Sequence, residues 1–291
     1  MTKQTDITYA IPSQPRQLRL DSTSFCNARC LSCHRYLSKR EGNMSLDMMR
    51  AIFDDVARWP QHLEELVPVN YGEFFSLSGW RAILQLCETN LPHTQVVIPT
   101  NGFYLNDEAV KDLAEYNVVK IINFSVNAFF EDTYEKFMGL PADNIDRMKH
   151  AIKLLHAIRP DMFFSVSMVN DVAYQTDLER DYFIESWQAF LKEVGASYNV
   201  QVLPAASAGR PGQKPAYPVK APCRSLFADI VVGFDGKLSS CCFNPSFDID
   251  LGEYHGDLKK DWMNDKISEL RRVHNEHQRD TISRCKVCTF A

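Results

Sequence analysis

Short apolar runs alternate with amphipathic stretches along most of the chain. The runs have strand length and lie at residues 17–23, 65–73, 95–102, 118–128, 162–170 and 197–205. Between them, apolar residues recur at i, i+3 and i+4 spacing, which predicts helices within residues 45–59, 107–116, 144–158 and 183–194. Repeated strand and helix units imply right-handed crossovers and a parallel sheet. The pattern therefore predicts an α/β fold, a partial (β/α)6 TIM-like barrel.

A smaller unit is expected after the barrel. Residues 206–222 are rich in Pro and Gly and show little periodicity, which is typical of a linker. Residues 227–242 predict a β-hairpin that turns at Asp235–Gly236, and residues 261–277 predict a helix. The expected organisation is an N-terminal extension over 1–16, the barrel over 17–205, the linker, and a small α+β domain over 223–291.

Three cysteines follow the first predicted strand within eight positions, in "FCNARCLSCH". A structural zinc site normally needs a fourth ligand, and His34 is too close to Cys33 to bind the same ion comfortably. Cys26, Cys30 and Cys33 on one loop suit a 4Fe-4S cluster in which one iron stays open. Zinc completed by a distant ligand and unliganded thiols remain as alternatives.

Small polar residues stand at the ends of other predicted strands. Gly72 would let the backbone approach a ligand closely, and Glu73 offers a carboxylate and a carbonyl, although a plain turn is the alternative. Ligand-binding residues of such barrels lie at the carboxyl ends of the strands. Polar side chains suited to a ribose or an amino-acid moiety, or else to helix capping, stand at Thr100, Asn101, Ser125, Asn127 and Ser167.

Composition narrows the class of protein. The 291 residues, 45% of them hydrophobic, are enough to bury a core, and the net charge of −5 argues against nucleic acid as the main partner. No apolar run approaches the roughly 18 residues of a membrane span, and no secretory or transit segment is recognisable. The chain has nine cysteines, and those in the CxxxCxxC and CxxC groups are then expected to be metal ligands in a reducing, cytoplasmic compartment.

The CxxxCxxC loop, "YGEF" after the second strand and "SVN" after the fourth resemble the radical S-adenosylmethionine superfamily. The resemblance implies that the open iron of a 4Fe-4S cluster binds S-adenosylmethionine, which is cleaved to methionine and a 5′-deoxyadenosyl radical. "YGEF" corresponds to the family's GGEP motif, which contacts the methionine amino group. Tyr71 and Phe74 replace its first Gly and its Pro, so Gly72 and Glu73 carry over. Ser32 stands where the family often has an aromatic residue.

The C-terminal cysteines carry a second resemblance. Twelve residues separate Cys223 from Gly236 and four separate Gly236 from Cys241, similar to the CX9-15GX4C opening of the SPASM domain and its shortened twitch form. This implies a second, auxiliary 4Fe-4S cluster held by Cys223, Cys241, Cys285 and Cys288. Judged without the N-terminal motif, the same four cysteines also suit zinc.

Two cysteines remain. Cys87 lies on a predicted helix and is expected to be a small buried hydrophobe. Cys242 directly follows an expected cluster ligand, and a thiol there could give a hydrogen atom to a substrate radical, as in the family's epimerases of peptides and aminoglycoside sugars. Local packing or a spare ligand is the alternative. The first hypothesis is therefore an enzyme that epimerises a carbon centre of a sugar-like small molecule or peptide.

Other outcomes stay open. They are a dehydrogenase of a small hydroxylated substrate that passes electrons to the auxiliary cluster, a peptide-modifying maturase, and a two-site zinc-binding protein. About 16 residues precede the first strand, too few for a leader-peptide recognition domain, which favours a small-molecule substrate. The resemblance also implies a flavodoxin- or ferredoxin-type electron donor. Arg210 is expected to contact the substrate or cofactor, or else to be a solvated linker residue.

Overall fold

The structure is a computed structural model that describes residues 7–205 and 221–288. Its strands are β1 (Gln17–Leu20), β2 (Glu65–Val67), β3 (Gln95–Thr100), β4 (Val119–Ser125), β5 (Phe163–Asn170), β6 (Ser197–Pro204), β7 (Asp229–Val232) and β8 (Leu238–Ser239). Its helices are α1 (Leu46–Ala57), α2 (Trp80–Asn90), α3 (Asp107–Ala114), α4 (Glu131–Met138), α5 (Asn144–Ile158), α6 (Asp177–Val194), α7 (Leu258–Trp262), α8 (Asp265–Asn275) and α9 (Ser283–Lys286). Within these residues, no helix combines the length and apolarity that a membrane crossing requires.

All eight strands form one sheet in the order β6-β5-β4-β3-β2-β1-β7-β8. Each adjacent pair from β6 to β7 is parallel, and only β8 runs antiparallel to its neighbour. The sequence prediction of a partial barrel with six parallel strands is therefore confirmed. Strand β7 pairs with β1 from Gln17–Asp229 to Leu20–Val232, so the predicted C-terminal hairpin extends the barrel sheet beyond its first strand.

The hydrophobic core lies where the helices pack on the sheet. Alternation along a strand sends successive side chains to opposite faces, and on β1 it buries Leu18 and Leu20 completely, leaving Gln17 and Arg19 on the opposite face. Cys87 is fully buried in α2, as predicted. The opposite face of β1 is thus free to carry polar groups towards the barrel interior.

Two predicted helix boundaries differ from the structure. Helix α6 begins at Asp177, ahead of its apolar pattern, because the Thr176 hydroxyl caps its first turn by accepting from Glu179 N at 3.1 Å. The prediction of a single helix over 261–277 is wrong, because α7 and α8 are two separate helices. Asn264 has an extended backbone and accepts from Ile267 N at 2.9 Å, which starts a new helix at that position.

Candidate active site

A cavity of about 330 Å³ lies at the carboxyl ends of the barrel strands. We call it the barrel cavity. It is lined by the three loop cysteines, the "YGEF" turn, polar strand ends and one C-terminal cysteine, among them Cys26, Cys30, Cys33, Tyr71, Gly72, Glu73, Thr100, Asn101, Ser125, Asn127 and Cys242. These predicted positions, taken from five separate chain segments, therefore share one space.

The cysteine loop follows β1 and turns its thiols into this cavity. Cys26 Sγ accepts from Ala28 N, and Cys33 Sγ accepts from Arg35 N, each at 3.4 Å. Backbone donors aimed at sulfur stabilise negative charge on it, which is the state in which cysteine binds metal. Cys30 is the third thiol, and its Sγ lies 3.4 Å from Met138 Sδ.

Burial and mutual repulsion keep the thiols of Cys26 and Cys30 protonated. Burial is the main cause that raises the pKa of Cys26 to about 11, and negative charge on Glu73 and Cys33 adds to it. Burial, followed by charge on Cys33 and Cys26, likewise raises the pKa of Cys30. A cationic iron-sulfur core would reverse this balance, because it attracts each thiolate. The three converging thiols therefore fit a cluster that they hold from one side, with the rest of the cavity open to a ligand.

Gly72 stands where the "YGEF" turn touches the cysteine loop. A Cβ atom at this position would come within 2.8 Å of the carbonyl oxygen of Phe25 and closer still to that of Thr23. Glu73 N donates to the same Phe25 carbonyl at 2.9 Å. The turn and the loop can lie this close only because residue 72 has no side chain.

Glu73 is only 2% exposed and its carboxylate is surrounded by donors. It accepts from Thr100 Oγ1 at 2.7 Å, from Asn101 N at 2.8 Å and from Phe75 N at 3.2 Å. Burial nevertheless raises its pKa to about 7, because these donors offset only part of the desolvation. A ligand ammonium group brought into the cavity would favour the charged carboxylate.

The other polar strand ends differ in their placement. Asn101 Nδ2 donates to Asn27 Oδ1 at 2.9 Å, which joins the end of β3 to the cysteine loop. Asn127 has a left-handed backbone, with φ of 62°, and its Oδ1 accepts from Val169 N at 2.9 Å. Ser125 lines the barrel cavity. Ser167 does not line it: its hydroxyl is buried and lies 3.4 Å from the carbonyl oxygen of Phe124.

Tyr71 and Cys242 connect the barrel to the C-terminal region. The Tyr71 hydroxyl donates to the backbone carbonyl of Cys242, and both residues line the barrel cavity. Burial is the main cause that raises the pKa of the Cys242 thiol to about 11. At neutral pH this side chain is therefore a protonated thiol that faces the same space as the three loop cysteines.

Sequence reasoning missed Arg19, whose side chain also lines the barrel cavity. Its NH2 group donates to Gln17 Oε1 at 2.9 Å, while Nε is buried and has no hydrogen-bond partner within residues 7–205 and 221–288. The alternation of "QLRL" could have located it, because a charge between two core leucines must face the barrel interior. Arg210, predicted to contact ligand, lies outside the described residues.

The four C-terminal cysteines line a second, smaller cavity of about 40 Å³, which we call the C-terminal cavity. Cys223, Cys241, Cys285 and Cys288 face it together with His274, Arg279 and Arg284. The neighbours Cys241 and Cys242 therefore line different cavities. In the part of the chain that the structure describes, no group of three or more His, Cys, Asp or Glu side chains is arranged to hold a metal ion. Within this part of the chain, the thiols line the interior of each cavity without surrounding a single ion position.

Comparison with protein-family models defines the class. The model described as the radical SAM superfamily matches residues 20–178, which is more than half of the chain. The matched region runs from the end of β1 to the start of α6 and contains the cysteine loop and the "YGEF" turn. The chain belongs to the radical SAM superfamily.

Several proteins are similar to this chain. A tungsten-containing aldehyde ferredoxin oxidoreductase cofactor-modifying protein of Pyrococcus furiosus is 31% identical over 114 residues, covering 38% of this chain and only 31% of the relative. The structure of BtrN in complex with AdoMet and 2-DOIA has a TM-score of 0.62 at 15% identity, covering 97% of this chain and 94% of BtrN. Streptococcus suis SuiB bound to precursor peptide SuiA has a TM-score of 0.59 at 15% identity, covering 96% of this chain and 70% of SuiB.

These likenesses differ in what they support. The match to the Pyrococcus protein spans about a third of that relative's length, so it bears on the shared segment alone. The matches to BtrN and SuiB are at low identity and show a shared fold that extends over nearly the whole chain. The fold is thus that of radical SAM proteins.

Proposed function

We propose that this radical SAM enzyme epimerises a carbon centre of a polar small molecule, with Cys242 as the hydrogen-atom donor. Cys26, Cys30 and Cys33 would hold a 4Fe-4S cluster, and Cys223, Cys241, Cys285 and Cys288 an auxiliary one. When bound, the first cluster supplies the electron that cleaves S-adenosylmethionine into methionine and a 5′-deoxyadenosyl radical.

The barrel residues would bind and orient the two substrates. Glu73 and Gly72 would meet the methionine end of the cofactor, and the polar side chains of Asn101, Ser125 and Asn127 suit hydroxyl and amino groups. Exclusion of water and a fixed substrate position in the cavity are important for this reaction, because a primary carbon radical reacts with the nearest C–H bond. Arg19 on the interior face of β1 adds a cation that favours polar or anionic substrate groups.

One observation carries the reaction type: the protonated Cys242 thiol lines the same cavity as the loop cysteines. The 5′-deoxyadenosyl radical takes a hydrogen atom from one face of the substrate carbon. Cys242 then gives its S–H hydrogen to the opposite face, which leaves an inverted carbon and a thiyl radical. One electron and one proton restore the thiol, and a flavodoxin- or ferredoxin-type donor would supply that electron.

A dehydrogenase is the second candidate. The likeness to BtrN, whose structure was determined with 2-DOIA, covers nearly all of both chains. In this alternative the substrate radical loses a proton and one electron, and the electron passes to the auxiliary cluster beside Cys241. A peptide substrate, as in the SuiB complex with SuiA, is a further possibility for either reaction.

The Cys242→Ala variant distinguishes these reactions. Candidate amino sugars and cyclitols are first screened for 5′-deoxyadenosine formation with the wild-type enzyme. For an epimerase, Cys242→Ala still forms 5′-deoxyadenosine but no epimer, and the wild type in D₂O places one deuterium at the inverted carbon. Cys87→Ala, which removes a thiol buried in α2, is the matched control and keeps epimer formation.

The opposite results would contradict the proposal. A product two mass units lighter, no deuterium incorporation and near-normal turnover of Cys242→Ala would establish the dehydrogenase instead.

A further inference from the structure

His274 offers an unused hydrogen-bond donor to the C-terminal cavity. Its Nδ1 accepts from Cys223 N at 3.1 Å, so Nδ1 carries no proton and the neutral ring carries its proton on Nε2. The residue is 1% exposed and lines the cavity. Nε2 is buried, and it has no hydrogen-bond partner among the described residues.

A buried donor without an acceptor is unfavourable, because it has lost its hydrogen bonds to water and gained none in return. The other polar side chains around this cavity are four cysteines, two arginines, Ser239 and Ser240. The arginine nitrogens cannot accept a hydrogen bond, and neither serine hydroxyl accepts one from Nε2. The chemistry that would satisfy Nε2–H is a sulfur acceptor, either a cysteine thiolate or an inorganic sulfide. The side chain is thus placed as an outer-shell partner of an iron-sulfur cluster.

Arg279 adds a fixed positive charge to the same cavity. It is 2% exposed, and its NH1 group donates to the Ala221 carbonyl at 2.9 Å. The charge lowers the pKa of Cys223 and of Cys285, although burial raises both more strongly. Arg279 therefore favours negative charge on two of the four cysteines.

Arg284 provides a natural contrast. It lines the cavity as well, but its Nη2 and Nε donate to the Asp248 carboxylate at 2.5 and 3.0 Å. This bidentate pair is close to neutral, so it contributes little net charge. Both arginines lower the pKa of Cys285, but the effect of Arg284 is the smaller of the two, and Arg284 is paired with the Asp248 carboxylate.

We propose that His274 and Arg279 raise the reduction potential of the auxiliary cluster, His274 by a hydrogen bond from Nε2–H to a cluster sulfur and Arg279 by its charge. Reduction adds one negative charge to the cluster, so a donor and a cation stabilise the reduced form more than the oxidised form. The inference rests on the auxiliary cluster of the proposed function. A higher potential makes that cluster a better electron acceptor, which is the role that the dehydrogenase alternative gives it.

Redox titration of the full-length holoenzyme, followed by electron paramagnetic resonance, tests this inference. His274→Asn keeps an oxygen that can accept from Cys223 N, but its shorter side chain has no donor at the position of Nε2. Arg279→Gln loses the charge. Each should lower the midpoint potential of the auxiliary cluster by about 59 mV or more, which is a tenfold change in a one-electron equilibrium constant. Arg279→Lys, which keeps the charge, should lower it by less than half as much.

The control is the double variant Arg284→Gln with Asp248→Asn, which removes a neutral pair from the same lining. In this double variant the midpoint potential of the auxiliary cluster should differ from the wild-type value by less than half of the shift seen for Arg279→Gln. Unchanged potentials in His274→Asn and Arg279→Gln at full iron content would overturn the inference. So would equal iron loss in Arg279→Gln and Arg279→Lys, since that result indicates a purely structural role.

A protein that binds no auxiliary cluster would give a different result. In that case the wild type binds about four irons rather than eight, and Cys285→Ala loses none of them.

Discussion

The two cysteine sites differ in the number of thiols, in the size of the cavity and in the groups around it. The barrel cavity has three thiols from one loop and about 330 Å³ of space, bounded by polar strand ends. The C-terminal cavity has four thiols from separated positions and about 40 Å³, bounded by buried His and Arg side chains. The first arrangement leaves room for a cosubstrate and a substrate, whereas the second leaves room for little beyond a metal group.

The two sites are also joined. Cys241 lines one cavity and Cys242 lines the other, and Tyr71 donates to the backbone carbonyl of Cys242. Strand β7, which leads into this segment, pairs directly with β1, which leads into the cysteine loop. A structural change at one site can therefore be transmitted to the other through a few residues that are joined covalently or by hydrogen bonds.

The largest contrast is expected between Cys30→Ala and Cys285→Ala. Cys30→Ala should lose 5′-deoxyadenosine formation completely and keep about four of eight irons, because only the barrel cluster loses a ligand. Cys285→Ala should lose the other half of the iron and lower the melting temperature, yet still cleave S-adenosylmethionine. Iron analysis, thermal unfolding and product detection under anaerobic conditions check both. Loss of all iron in either variant would show that the sites depend on each other for assembly.

A somewhat smaller effect is expected from Gly72→Ala. The added methyl group meets the backbone oxygens of Thr23 and Phe25, so the "YGEF" turn and the cysteine loop must move apart. A displacement of about 1 Å in an active site can cost about 10²-fold in rate, and we expect a loss of that order in 5′-deoxyadenosine formation. Gly79→Ala is the control, since no atom lies within 4 Å of its added methyl group. Equal rates for both variants would contradict the close contact.

The smallest expected effect concerns stability and the charge of Glu73. Its pKa in the folded protein, about 7, is above the ordinary value of 4.5, so the folded state holds the proton more tightly than the unfolded state. The free energy of unfolding should therefore fall by about 3 kcal/mol as the pH rises from about 4.5 through 7.

Glu73→Gln lacks this titration. The difference in unfolding free energy between wild type and variant should change with pH over that interval in urea titrations without S-adenosylmethionine. Parallel pH profiles would mean that folding leaves the pKa of Glu73 unchanged.

Periodicity was sufficient to predict the six parallel strands, because each is an apolar run between amphipathic helices. Periodicity could not predict that the helix is interrupted at Asn264. The side chain of Asn264 caps the next turn, so a second helix starts there. The pairing of β7 with β1 was equally hidden, since a short hairpin carries no signal for its partner strand.

The cysteines of both sites were recognisable by spacing and family resemblance. Arg19 was overlooked because its signal is a single polar position in one strand. His274 and Arg279 lie in helical or turn segments with no motif, and only the folded chain brings them to the C-terminal cavity. Residues that belong to no motif and reach the site only when the chain folds are therefore the ones that could not be predicted from the sequence.

Electron paramagnetic resonance of the reduced protein, recorded before and after addition of S-adenosylmethionine, tests most directly whether the two sites have different roles. In Cys285→Ala the remaining cluster signal should change on addition, because the open iron of the proposed barrel cluster would bind the cosubstrate. In Cys30→Ala the remaining signal should not change, because four cysteines would complete the proposed auxiliary cluster. A signal that responds in Cys30→Ala, or none that responds in Cys285→Ala, would contradict this assignment.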